Sequence, residues 1–134
     1  MSATQPPSFL SPEGFPPRVW GPLIWQASHI ILANYPLEPT DRDVDAYMMY
    51  FRSLCSVLPC RVCRQHFCAL VNDHPRLKLR RGLFAQARGE RPGAARDRVF
   101  SWFVRVHANV NRRLGKPYPG DVRGWKRAYA GLRG

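Results

Sequence analysis

No stretch of this chain is apolar for long enough to cross a bilayer: the longest uninterrupted aliphatic run, Ile30 to Ala33, falls far short of the roughly 20 residues a membrane helix needs. The first 17 residues lack the charged-then-apolar pattern of an export leader, so neither secretion nor membrane anchoring is expected. Acidic side chains are scarce, 9 against 21 Lys and Arg, which leaves a formal net charge of +12. Cysteine is absent outside positions 55 to 68. A secreted disulfide scaffold spreads its cysteines to staple distant loops, whereas a tight cluster holding one Cys-x-x-Cys reads as redox or metal chemistry. No two-residue alternation of apolar and polar residues argues for a sheet.

What remains is enough for one domain with a sizeable core: 134 residues, 45% hydrophobic and 12% aromatic. Residues 1–17, with Pro6, Pro7, Pro12, Pro16 and Pro17, are expected to form an irregular lead-in to a domain over 18–134. Eight basic residues (Arg76, Lys78, Arg80, Arg81, Arg88, Arg91, Arg96 and Arg98) crowd a stretch punctuated by Gly82, Gly89, Pro92 and Gly93, which reads as a basic excursion between core elements. The charge fits a solvated surface, acidic proteins or nucleic acid. No aromatic and basic residues interleave as a stacking platform and no recognition-helix or zinc-finger pattern occurs, so nucleic-acid binding is not the expected main function.

Helical spacing dominates. After Pro17, Trp20, Leu23, Ile24, Ala27, Ile31 and Tyr35 predict one apolar face over about Arg18 to Asn34, with Trp25 and His29 as an i,i+4 pair beside it. Thr40 and Asp43 open a second helix through Val44, Phe51, Leu54, Cys55 and Leu58, which Pro59 stops. Cys60 then starts a third, carrying Cys63, His66, Phe67 and Leu70. Val99, Trp102, Phe103, Val106 and Val110 make a fourth, with His107 and Asn111 on an adjacent face and Gly115 as its C-terminal cap. A short last helix holds Trp125 and Tyr129, and the whole reads as an all-α bundle.

In Pro59-Cys60-Arg61-Val62-Cys63 the sulfurs stand one turn apart at a helix N-terminus, where unpaired N–H groups favour a thiolate and Arg61 and Arg64 push the same way. Zinc is the alternative, since Cys55, Cys60, Cys63, His66 and Cys68 offer more than enough sulfur and imidazole for a zinc-stabilised binding module. Its usual two separated knuckles are missing. Cys55 and Cys68 read either as small buried hydrophobes or as candidate relay thiols for the Cys-x-x-Cys. Trp25 with His29, and His107 with Asn111, can line a slot suited to a flat heteroaromatic cofactor.

Four ordered blocks, Trp20-Gly-Pro-Leu-Ile-Trp25-Gln-Ala-Ser-His29 with Tyr35-Pro36, Pro59-Cys60-Arg-Val-Cys63-Arg-Gln-His66-Phe67, Trp102 with His107-Ala-Asn-Val110-Asn111, and Leu114-Gly115-Lys116-Pro117, resemble the motif set of ERV/ALR-type FAD-linked sulfhydryl oxidases. The compact opening block and the small size look most like the branch found in large DNA viruses. The resemblance implies a four-helix bundle with a short fifth helix, FAD held non-covalently and a homodimer. It implies FAD contacts from Trp20, Trp25, His29, Tyr35, Cys63, His107, Val110, Asn111 and Lys116, with Trp125 and Lys126 near the adenine end. Cys60 and Cys63 become the catalytic pair. Electrons then pass from thiol-containing client proteins, or from a small Cys-x-x-Cys redox carrier, through FAD to oxygen, giving hydrogen peroxide. A viral source places the work in host cytoplasm and virion, any other source inside the cell. Three departures stand out: Ala108 replaces the family's amide, with Asn109 turned about 100° away on a 3.6-residue helix; no cysteine after Cys68 can form the second structural disulfide of cellular members; and the basic segment around 76–96 is longer than the family's usual connection, an insertion suited to an extra helix, a dimer contact or a partner surface.

Overall fold

The computed structural model describes residues 13–117 and 122–133, so most of the Pro-rich lead-in lies outside the described residues. They contain six helices, α1 (Pro17–Ala33), α2 (Asp41–Val57), α3 (Arg61–Asp73), α4 (Arg81–Phe84), α5 (Ala94–Arg113) and α6 (Val122–Ala130). Among the described residues there is no strand beyond one isolated antiparallel bridge between Gly14 and Cys60, and no helix is long and apolar enough to cross a membrane.

Local chemistry sets the boundaries. Pro17 occupies the first turn of α1, where its missing N–H costs nothing. Thr40 and Asp43 close a reciprocal capping box on α2, each side chain satisfying the other's backbone N–H. At the end of α5 the Gly115 N–H donates to the Arg112 carbonyl and the Lys116 N–H to that of Asn111, a Schellman motif that needs the left-handed φ of +69° at Gly115.

The core is an aromatic lattice between α2, α4 and α5: Phe51 meets Trp102 edge-on at 5.3 Å and Phe84 meets Trp102 at 5.8 Å. Leu54, Phe67, Leu70, Val99 and Val106 fill the space around it. The face of α1 is a correction to the periodicity reading. Leu23 is 68% exposed and Ala27 is also exposed, while Gly21, Ser28, His29 and Leu32 are buried. The inward face is therefore shifted by one residue, about 100°, because polar and aromatic side chains turn inward along α1.

The basic segment is no loose excursion. Leu77, Leu79, Leu83 and Phe84 are buried in the core, and the turn of helix that carries the last two, α4, raises the helix number from the expected five to six among the described residues. Trp102 donates its indole N–H to the Leu77 carbonyl at 2.8 Å, and the Leu79 N–H reaches Val71 at 2.7 Å. Arg98 donates to the carbonyls of Leu83 and Ala85 at 3.1 and 2.7 Å and pairs with Glu90 at 2.7 Å. Arg81 bridges to Asp41 and Asp45 on α2.

Arg98 therefore fastens a loop rather than decorating a surface. Arg98→Ala leaves the Leu83 and Ala85 carbonyls without this donor and is expected to cost about 1–3 kcal/mol in urea unfolding. Exposed Arg88→Ala serves as the control, within about 0.5 kcal/mol of the parent.

Candidate active site

The two sulfurs of the Cys-x-x-Cys owe their placing to a helix start. Pro59 follows the end of α2, and Cys60, in extended conformation, is the N-cap of α3, its Sγ accepting the Cys63 N–H at 3.3 Å. Cys60 and Cys63 are joined as a disulfide, with their Cα atoms 5.2 Å apart. A sulfur at this end of a helix meets unpaired N–H groups and the positive end of the dipole, which favour its thiolate once the bond opens. The arginines are engaged elsewhere: Arg64 donates to the Leu58 carbonyl at 2.7 Å, and Arg61 faces Glu13 at 3.6 Å. Residues 13–15 lie alongside this start, the Phe15 N–H donating to the Pro59 carbonyl at 2.6 Å and the Arg61 N–H to that of Glu13 at 3.1 Å. Gly14, at φ +83°, is required there, since a Cβ would run into the Pro59 carbonyl.

Beneath the disulfide opens a cavity of about 560 Å³, within the usual range for a small-molecule site. Cys63 is on its wall; Cys60 is not among the lining residues. Trp20, Trp25, His29, His107, Val110, Asn111, Lys116 and Trp125 all converge on it. Tyr35 and Lys126 do not. Tyr35 is fully buried in the core, donating its hydroxyl to the Phe84 carbonyl at 2.6 Å, and burial raises its pKa. Lys126 pairs with Asp97 at 3.4 Å. Leu54, Leu58, Phe67, Phe103 and Tyr129 also line the cavity; their helical spacing marked them as apolar face, and no sequence signal separates a core wall from a cavity wall.

Two ring pairs form the inner surface: Trp25 stacks on His107 at 4.0 Å, and Trp125 on His29 at 4.9 Å. His29 Nε2 and His107 Nδ1 share a hydrogen bond at 3.2 Å, which takes one donor and one acceptor and so suits two neutral rings. Burial, reinforced by the neighbouring His107, pushes His29 down to about 3, and burial, reinforced by Lys116, pushes His107 down to about 4. The other nitrogen of His29, Nδ1, is buried with no hydrogen-bond partner. Leaving it so costs about 1–3 kcal/mol, which a polar group on a flat ligand would relieve. The Schellman turn brings Lys116 to the cavity, supplying a cation beside Asn111. Asn109 lines a separate surface pocket with His74 and Arg105, and so does not stand in for the amide missing at Ala108.

The zinc alternative finds no site: among the described residues no three His, Cys, Asp or Glu side chains are grouped to hold a metal, and His66 is exposed. Cys55 and Cys68 are half-buried free thiols on α2 and α3. Burial, then the Cys68 thiol, pushes Cys55 up to about 12, and Asn72 Nδ2 lies 3.6 Å from Cys68 Sγ.

The histidine pair makes stability depend on pH with a defined sign. Unfolded imidazoles titrate near 6.5, so the contribution of the neutral rings is fully present above that value and is lost progressively as pH falls toward about 3–4. Melting temperature is expected to drop steeply between pH 6.5 and 4.5, and His29→Asn with His107→Asn flattens that dependence; equal slopes in parent and variant would refute it.

The profile of the Erv1 / Alr family matches residues 22–130. A protein of Acanthamoeba polyphaga mimivirus named as a probable FAD-linked sulfhydryl oxidase is 29% identical over 75% of this chain, and the match spans 62% of that relative. A relative from Invertebrate iridescent virus 6, also named for FAD-linked sulfhydryl oxidase activity, is 29% identical over 75% of this chain and 84% of its own length. The Arabidopsis thaliana FAD-linked sulfhydryl oxidase ERV1 is 29% identical over 72% of this chain and 42% of its own length. The crystal structure of the yeast Erv1 core superposes with a TM-score of 0.65 at 22% identity, covering 95% of this chain and 96% of that one, and shares the fold. With the family profile running over most of its length, the chain belongs to the Erv1 / Alr family.

Proposed function

We propose that this protein is an FAD-dependent thiol oxidase that forms disulfides in client proteins. The observation that carries the proposal is the asymmetry of the redox pair: Cys63 lies on the wall of the aromatic cavity, and Cys60 lies off it, capping a helix. A client thiolate attacks Cys60 Sγ; the Cys60–Cys63 bond breaks and its electron pair leaves on Cys63. The client's second thiol then displaces Cys60, completing the client disulfide and leaving both cysteines reduced. The Cys63 N–H and the α3 dipole hold Cys60 as a good leaving group.

FAD, when bound, supplies a two-electron acceptor for Cys63 and a route from there to oxygen, giving hydrogen peroxide. The cavity suits it on its own chemistry. Trp25, His29, His107 and Trp125 present flat faces, and Trp20 and Val110 complete the walls. His29 Nδ1 and Asn111 offer hydrogen bonds, Lys116 a positive charge for phosphate, and Leu54, Leu58 and Phe67 add an apolar wall beside Cys63. Tyr35 belongs to the scaffold in this reading, and Lys126 to the contact with Asp97.

The proposal includes a homodimer. Val19, Leu23 and Ile30 are 53%, 68% and 45% exposed and fall within about 40° of one another around α1, a stripe that a second copy would cover. The charge of +12 goes with acidic clients, among them a small Cys-x-x-Cys carrier. A source among large DNA viruses, with work in host cytoplasm and virion, goes with the viral relatives.

The purified protein is expected to show a stoichiometric flavin band and to consume oxygen with a reduced protein substrate. Cys63→Ser keeps the band and reduces oxygen consumption to background, whereas His29→Ala weakens flavin affinity by about 10–100-fold through the lost hydrogen bond and stacking. A colourless parent protein, or turnover surviving in Cys63→Ser, overturns the proposal. On a sizing column with light scattering, Leu23→Glu is expected to convert a dimer to a monomer; an unchanged mass would remove α1 from the interface.

A further inference from the structure

We infer that Cys55 and Cys68 are a second redox pair, a dithiol across the α2–α3 hairpin that the Cys60–Cys63 disulfide of a second copy oxidises into a staple beneath the active-site turn. The inference rests on the proposed oxidase reading only for the renewal of that disulfide. Cys55 follows inward-facing Leu54 near the end of α2, and Cys68 follows inward-facing Phe67 on α3. The two helices pack as a hairpin around the Leu58-Pro59-Cys60 turn, so the cysteines fall opposite one another, half-buried, and their thiols interact. Both are reduced, whereas the pair at the turn is closed.

The direction of transfer follows from the surroundings of the sulfurs. A disulfide whose reduced form is stabilised as thiolate is the stronger oxidant, and Cys60 has a helix N-terminus for that purpose. Burial works against a Cys55 thiolate, so that pair gives up electrons and keeps its disulfide. Cys68 attacks as the thiolate and the Cys60–Cys63 bond breaks, forming a mixed disulfide. Cys55 then loses its proton and attacks the Cys68 sulfur, forming the Cys55–Cys68 bond. Two electrons and two protons end on Cys60 and Cys63 of a second copy, because on α3 Cys68 lies about 140° around the helix from Cys63 of its own chain. The closed loop contains the whole active-site turn, in a chain with no cysteine after Cys68 to staple it from elsewhere.

Trypsin separates the sulfurs into peptides 53–61, 62–64 and 65–76, carrying Cys55 with Cys60, Cys63, and Cys68. The oxidised full-length protein, treated with N-ethylmaleimide and digested without reduction, is expected to carry no maleimide on any cysteine and to show 65–76 bridged through Cys55. Cys60→Ser with Cys63→Ser, handled anaerobically, is expected to carry maleimide on both Cys55 and Cys68, and to lose it after prior mixing with oxidised parent. Cys55→Ser is expected to lower the melting temperature by about 10 °C with the flavin band retained. Maleimide on Cys55 and Cys68 in the oxidised parent overturns the inference, as does a bridge already present in the double variant before mixing. A yellow protein with both thiols free sinks the staple alone; a colourless protein with the staple closed sinks the oxidase reading alone.

Discussion

A sulfur used as a helix cap is the constraint on which this molecule turns. Pro59 cannot continue α2, and the residue after it must satisfy an N–H of the next helix; here that residue is a cysteine. The same bond that starts α3 fixes where the Cys60 sulfur points and sets Cys63 one turn on, against the cavity. Fold and chemistry thus share a single hydrogen bond. The other N-caps of the longer helices are a proline at Pro16, a hydroxyl at Thr40 and a left-handed glycine at Gly93, ordinary solutions with no reactive atom.

The cavity opposite depends on a second compromise. Helix α1 turns Ser28 and His29 inward and leaves Leu23 and Ile30 in the open, against the usual order of burial. Two neutral imidazoles bonded to one another, with one nitrogen still unmet, are a poor core and a good lining. The stacked tryptophans offset part of that cost by shielding the rings on both sides. Stability concentrates instead in the Phe51, Phe84 and Trp102 lattice, which meets the cavity wall at Phe103 and to which the basic segment is tied through Arg98.

Much of this was written in the residues. Capping at Thr40 and Asp43, the stop at Pro59, the start at Cys60 and the cap at Gly115 are local events, decided by side chains within a few positions, and they stand where the pattern puts them. Features that depend on distant partners were harder to read. The face of α1 departs from its hydrophobic pattern because a cavity on one side and a candidate subunit stripe on the other reverse the usual link between hydrophobicity and burial. Leu77, Leu79, Leu83 and Phe84 are masked by the basic residues among them, since Arg76-Leu77-Lys78-Leu79-Arg80 alternates for too few residues to mark an element and the spacing then breaks at Arg81 and Gly82. Nine of the residues that the motif resemblance implies as FAD contacts converge on one cavity, while Tyr35 stands off it with its hydroxyl on the Phe84 carbonyl, a distant partner that no local pattern announces.

Residues 13–15 occupy the Pro59 carbonyl and the Arg61 N–H, the backbone groups flanking Cys60. For a thiol oxidase this has a bearing on selectivity. An extended client segment arriving at Cys60 cannot add itself as a neighbouring strand there, because the chain has already spent that edge on itself. Main-chain docking, the mode that reads a peptide's length and register, is closed on this side. Under the proposed oxidase activity, discrimination between clients is left to how far their thiols protrude and to the charge around them, which favours a broad clientele of accessible cysteine pairs over a single recognised sequence.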